Sequence, residues 1–235
     1  MNNYDTDHFA YEALRALALT HNYNRWIYET FKPYVGKNVM EIGCGIGNMS
    51  KLFKLSCERL IGIDVSGMFL DHLRIDHPQF ELYNYDITSD EVLELRDKNI
   101  DTVVCINVLE HVKDDLHAIA NVGAILKPGG HFLLFLPALE MLYGSMDSNA
   151  RHYRRYDKDS LCSKLTSNGF VIKRIFFSNI LGIFGWFLNG KVLNRKRFPV
   201  LQTLLFDKLV PLIAVLERHI RLPFGMNIIA IAVKQ

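Results

Sequence analysis

The sequence predicts a single α/β domain organised on a doubly wound, mostly parallel sheet, and three observations carry that expectation. Strand-like apolar runs and segments of helical periodicity alternate five times in succession, the pattern of a parallel sheet joined by right-handed crossovers. Residues 101–107 hold the unbroken apolar run Val103-Val104-Cys105-Ile106, as a central strand buried on both faces should. Residues 39–42 run into three closely spaced glycines, Gly43, Gly45 and Gly47, before helical spacing resumes at Asn48. With 235 residues, 49% of them hydrophobic and 22% charged, the chain can bury one full core.

Ahead of the first strand, Phe9, Ala10, Ala13, Leu14, Leu17 and Ala18 fall at helical spacing within residues 6–20, and His21–Phe31 continues as a second helix stopping before Pro33. Residues 1–36 are therefore read as an N-terminal helical cap, with the polar and aromatic peptide Tyr23-Asn24-Arg25-Trp26 near the first strand. The strand, glycine turn and helix that follow suit a nucleotide-like cofactor. Glycine admits backbone conformations and a close ligand approach that a Cβ blocks, and a helix start offers free N–H groups. The dinucleotide fingerprint G-x-G-x-x-G fails here, because Asn48 stands where its third glycine belongs. NAD is disfavoured on that count. The second strand, residues 60–64, ends in Asp64, about twenty residues past the glycines, where an acid accepts hydrogen bonds from ribose hydroxyls. Capping of the helix entered at Ser66-Gly67-Met68 is the structural alternative.

With Glu41 two residues before Gly43, the segment reads E-x-G-x-G-x-G. It resembles motif I of the class I S-adenosylmethionine (SAM) dependent methyltransferases, and the ordered motifs from residue 39 to 169 extend the resemblance. The resemblance implies a Rossmann-like seven-stranded sheet, with a sixth parallel strand at residues 170–177 and an antiparallel last strand at 227–233. It implies SAM as cofactor, held by Glu41, Gly43, Cys44, Gly45 and Asn48 of the turn and by Asp64, Val65 and Met68 after the second strand. In Tyr83-Asn84-Tyr85-Asp86-Ile87 it assigns Asp86 to the adenine amino group and Ile87 to the ring. Asn107 and Val108 would face the methionine moiety, and Tyr23 and Arg25 of the cap would close over the cofactor. Leu126-Lys127-Pro128-Gly129-Gly130 before the fifth strand is a further family feature that supports the fold. The related quinone-pathway O-methyltransferases carry E-x-x-E-H with a divalent metal after the fourth strand. Here Asn107 replaces the first acid, leaving Glu110 and His111, and two ligands are too few to infer a metal site. His111 remains a catalytic candidate.

The loop from Ala138 to Tyr156 leaves the carboxyl edge of the sheet, where open α/β folds bind substrate. Its segment D-x-x-x-R-H-Y-R-R-Y, from Asp147 to Tyr156, resembles a subgroup of bacterial methyltransferases associated with sugar or lipid modification. Methyl transfer to a hydroxyl needs alignment and a proton acceptor. His152 is the candidate base, since an unperturbed imidazole titrates near pH 6.5, and Tyr156 accompanies it. Arg151, Arg154 and Arg155 are candidates for a phosphate or carboxylate on the acceptor. The alternative is a helix lead-in whose arginines pair with Asp147, Asp157 and Asp159.

Residues 178–226 form an insertion where this fold usually has a short connection. Between residues 180 and 222, seven Lys or Arg face Asp207 and Glu217, a net of +5 in a chain of formal charge +2. The apolar runs at residues 180–188 and 204–216 fall short of the ~18–20 residues that cross a bilayer, and an interfacial helical hairpin with a basic fringe fits them. A homodimer interface or a lid is the rival reading. The overall charge is too small to argue for nucleic acid. Cys44, Cys57, Cys105 and Cys162 make no C-x-x-C pair and are read as reduced thiols of a cytoplasmic protein. The N-terminus shows no signal peptide pattern, so the expected location is the cytoplasm, with membrane association on its cytoplasmic face. The expected activity is methyl transfer from SAM to a hydroxyl of a small-molecule, glycan or lipid-linked acceptor. A phenol, quinone or amine acceptor stands second, and a SAM-binding or membrane-peripheral protein without catalysis is the reading from another class.

Overall fold

The computed structural model describes residues 3–195, 199–220 and 223–235, with side chains from residue 11 onward. The basic residues Lys196, Arg197 and Arg221 of the insertion lie outside the described residues. In chain order the elements are α1 (Asn3–Ala18), α2 (His21–Phe31), β1 (Asn38–Ile42), α3 (Ser50–Phe53), β2 (Arg59–Ile63), α4 (Gly67–Asp76), β3 (Glu81–Tyr83) and β4 (Thr102–Ile106). They continue as α5 (Asp115–Ile125), β5 (His131–Pro137), α6 (Ser145–Asn149), α7 (Lys158–Ser167), β6 (Phe170–Ser178), α8 (Gly182–Phe187), α9 (Val200–His219) and β7 (Asn227–Lys234).

The seven strands lie in the order β3-β2-β1-β4-β5-β7-β6. β1 to β5 pair in parallel, and β7 runs antiparallel between β5 and β6. This is the predicted Rossmann-like sheet with its antiparallel last strand. β6 and β7 each extend one residue beyond the expected 170–177 and 227–233.

Alternate residues of the strands feed two cores. Met40, Ile42, Ile61, Ile63, Val103 and Cys105 meet Ala118, Ile119 and Val122 of α5 and Leu161 and Leu165 of α7. Val39, Leu60, Val104, Leu133 and Phe135 meet Ile27 and Phe31 of α2, Phe53 of α3 and Leu70 and Leu73 of α4. Period-two strands covered by helices on both faces give this division. In the register, Ile42 lies opposite Ile63 on one side and Cys105 on the other. The carboxyl ends of β1, β2 and β4 therefore reach one edge together, and Gly43, Asp64 and Asn107 emerge side by side.

The insertion folds as α8, a π-helical turn at Leu188–Val192 and α9. Two carboxylates bolt α9 to the body. Asp207 accepts the backbone N–H of Tyr23 at 2.8 Å and of Asn22 at 3.3 Å, capping α2, whose own Thr20 makes no side-chain cap. Glu217 accepts the N–H groups of Asn179 at 2.9 Å and Ile180 at 3.0 Å. No described helix is long and apolar enough to cross a membrane.

Candidate active site

The glycine turn begins with backbone bonds from Gly43 and Cys44 N–H to the Ile63 carbonyl, at 2.8 and 3.1 Å. Gly43 has φ +66°, and a Cβ there would meet Val108 Cγ2 at 2.4 Å, so glycine is what lets the segment after β4 approach. Gly47 has φ +81°, and its Cβ would fall 2.5 Å from Leu73. Asp64 spans two N–H donors, Gly45 at 2.8 Å and Ser66 at 2.9 Å, and so fixes the turn against the start of α4. Asp64 thus caps locally, as the structural alternative expected, and also borders the cavity. Glu41 is buried and accepts from Ser50 Oγ at 2.5 Å; burial lifts its pKa to about 8. Asn48, at the position of the missing third glycine, donates to the Leu14 carbonyl at 2.8 Å and ties α1 over the turn.

The opposite wall is organised by Asp147, which is fully buried. One carboxylate oxygen accepts His152 Nδ1 and Arg155 Nε, each at 2.9 Å. The other accepts Gly144 N–H and Trp186 Nε1, each at 3.0 Å. Burial alone would raise its pKa, but the His152 hydrogen bond and the Arg155 charge outweigh that and hold it below the ordinary carboxylate value. Arg151, at φ +60°, turns the chain so that His152 comes back to Asp147, and the His152 N–H also bonds the Asp147 carbonyl at 2.9 Å. A carboxylate can only accept, so His152 Nδ1 carries the proton of this pair, and in the neutral ring Nε2 is the acceptor nitrogen. Arg155 adds a bond to the Ala138 carbonyl at 2.8 Å and stacks over Trp186 at 5.0 Å.

Beside His152 stand His111, with ring centroids 4.6 Å apart, and Glu110. The Glu110 carboxylate is 1% exposed and neither oxygen has a hydrogen-bond partner among the described residues. Burial raises its pKa to about 7, while burial and the neighbouring His152 lower His111 to about 4. Ligand atoms of Glu110, His111 and His152 lie within 4.8 Å of one another. The sequence offered two metal ligands at this position; the fold brings a third from the 138–156 loop, and two imidazoles with one carboxylate suit a borderline divalent ion such as zinc.

One cavity of about 940 Å³ joins these walls. Tyr23, Glu41, Gly43, Cys44, Gly45, Asn48, Asp64, Val65, Asp86, Ile87, Asn107 and Val108 line it on the glycine side, and His111, Arg151, His152 and Arg155 on the other. Arg25 and Met68 do not line it; both are exposed. Tyr156 is turned away into the core, 2% exposed, donating to Asp115 at 2.9 Å and the Leu109 carbonyl at 3.2 Å. Arg154 pairs with Asp115 at 2.8 Å and bonds the Lys113 carbonyl at 2.7 Å, also outside the cavity lining. Asp86 has one oxygen on Thr88, at 2.8 Å to both N and Oγ1.

A methyltransferase-domain family model matches residues 11–174. The chain belongs to that family. A probable S-adenosylmethionine-dependent methyltransferase of Mycolicibacterium smegmatis is 28% identical over 151 residues, covering 63% of this chain and 56% of that protein. A ubiquinone biosynthesis O-methyltransferase of Coxiella burnetii is 33% identical over 96 residues, 40% of this chain and 41% of that one. The match thus spans about half the length of these curated relatives. Among solved structures, a SAM-dependent methyltransferase of Thermotoga maritima superposes with TM-score 0.66 at 15% identity, covering 97% of each chain. A SAM-dependent methyltransferase of Archaeoglobus fulgidus gives 0.60 at 18% identity, covering 90% of this chain and 94% of the other. At these identities the structures establish the methyltransferase fold.

Proposed function

We propose that this methyltransferase-family chain uses SAM to methylate a hydroxyl of a small-molecule, glycan or lipid-linked acceptor, with His152 as general base. The observation that carries the reading is the 2.9 Å pair of His152 Nδ1 with buried Asp147, in the wall of the cavity that also contains the glycine turn. The residues fit the cofactor: the glycine turn at Gly43 and Gly45 borders the same cavity as Asp64, Asp86 and Ile87. When bound, SAM supplies an electrophilic methyl group on a sulfonium sulfur. His152 Nε2 takes the proton of the acceptor hydroxyl, and Asp147 stabilises the imidazolium that results. Arg151 lines the cavity beside His152, and Arg155 is held by Asp147 and Ala138.

The test is transfer of radiolabelled methyl from SAM to a panel of lipid-linked sugars, glycans and phenols. The expected result is label on a hydroxyl and no affinity for NADH. A phenolic acceptor is the second reading, favoured by the unpartnered Glu110 beside His111 and His152, which would hold a divalent ion. Turnover that disappears with chelator and returns with zinc would select it.

A further inference from the structure

We propose that the outer face of α8 and α9 docks on an anionic membrane surface, so that an acceptor carried in that surface enters the cavity between the two helices. On α9, Leu201, Leu205, Leu209, Leu212 and Leu216 recur every three or four residues and are 73%, 55%, 52%, 63% and 53% exposed. That spacing lays them along one side of the helix. The inward side is filled separately by Asp207, Val210 and Ile213. A helix that is apolar both toward the body and toward the outside asks for a second apolar surface. Phe184 of α8 is 70% exposed as well.

The charges decide what that surface is. Both acids of the segment are turned inward, Asp207 onto the start of α2 and Glu217 onto Asn179 and Ile180. Lys191, Arg195, Lys208 and Arg218 are exposed, so the charges presented outward by the described residues of the segment are cationic. A second copy of this chain meeting the same face would set cations against cations. An anionic lipid surface meets both the aliphatic stripe and the basic fringe. No described helix can cross the bilayer, which leaves α8 and α9 lying in the interface.

The inner sides of the same helices belong to the cavity. Gly185 and Trp186 of α8 and Gln202 and Phe206 of α9 line it, and Trp186 holds Asp147. Delivery of the acceptor rests on the proposed reaction; docking does not.

The test is co-sedimentation of the full chain with phosphatidylcholine–phosphatidylglycerol vesicles against pure phosphatidylcholine at low ionic strength, beside titration with SAM. The chain should pellet with the anionic vesicles and be released by salt. Each basic residue near such a surface is worth about fivefold in partitioning, so Lys208→Ala with Arg218→Ala should weaken binding about 25-fold. Leu205→Ser with Leu212→Ser should weaken it as well, and neither pair lines the cavity, so SAM affinity should hold. Equal pelleting with both vesicle types would overturn the proposal. So would a dimer in sedimentation equilibrium that Leu205→Glu dissociates. Vesicle binding without SAM binding upholds docking and defeats the proposed reaction; methyl transfer without vesicle binding defeats docking alone.

Discussion

The two walls of the cavity are built by different means. The glycine wall is local: Gly43, Asp64 and Asn107 sit at the ends of adjacent parallel strands whose register aligns them. The opposite wall, the proposed acceptor side, is assembled at long range, by one carboxylate that joins Gly144, His152 and Arg155 of the loop to Trp186 of α8. The first wall is as stable as the sheet beneath it. The second depends on Asp147, so perturbations of the two should separate.

The largest expected effect is on turnover. His152→Ala should lower kcat by about 10²–10⁴, the usual worth of a general base, in a radiolabelled-methyl assay with the acceptor found in the screen. Turnover within about threefold of wild type would remove His152 as the base.

Next comes stability. Asp147→Ala leaves the Arg155 guanidinium, buried at 5% exposure, without its carboxylate. Breaking such a pair costs about 3–5 kcal/mol, a fall in Tm of roughly 6–20 °C for a chain of this size. Calorimetric melting measures it, and SAM affinity of the folded variant should be unchanged.

The pH response sharpens the contrast further. Burial raises Glu110 from 4.5 to about 7, so the folded chain keeps a proton that the unfolded chain has released. That contribution is complete below pH 4.5 and is lost as pH rises through 7. His111, lowered from 6.5 to about 4, acts in the opposite sense and loses stability as pH falls. Comparing wild type with Glu110→Gln cancels His111: the gap between their unfolding free energies should change by about 3 kcal/mol across the Glu110 window. Denaturant titrations at several pH values read it.

The smallest effects concern candidates that the fold turned elsewhere. Tyr156→Phe removes the bond to Asp115 and should cost about 1–3 kcal/mol by leaving a buried polar group short of a partner, with kcat unchanged in the same methyl assay. Arg25→Ala, at an exposed position outside the cavity lining, should change SAM affinity and Tm within error.

The contrast between the walls also explains what was legible in the sequence. Glycine spacing, an acid at a strand end and apolar runs are short-range signals, so the sheet, the glycine turn and Asp64 could be read from the residues, while Val65, Asp86, Ile87, Asn107 and Val108 of the lining came from the resemblance. Arg25 and Met68 were carried by the resemblance, and their side chains lie outside the cavity. The segment from Asp147 to Tyr156 was recognisable as a unit, yet its roles were not. Which arginine meets which carboxylate depends on the turn at Arg151 and on α8, far along the chain. The signal for the hub was Asp147 five residues before His152 and eight before Arg155, but nothing near it announces Trp186. Glu110 and His111 read as two ligands because the third arrives from residue 152. Asp207 and Glu217 read as two acids diluting a basic segment, although both are turned inward as caps.

The most direct measurement is titration calorimetry of SAM against wild type, Asp64→Ala and His152→Ala. Wild type should bind, Asp64→Ala should lose binding as the glycine turn loses its brace, and His152→Ala should keep wild-type affinity. Absence of binding to wild type, or equal loss in both variants, would contradict the division of the cavity into a cofactor wall and an acceptor wall.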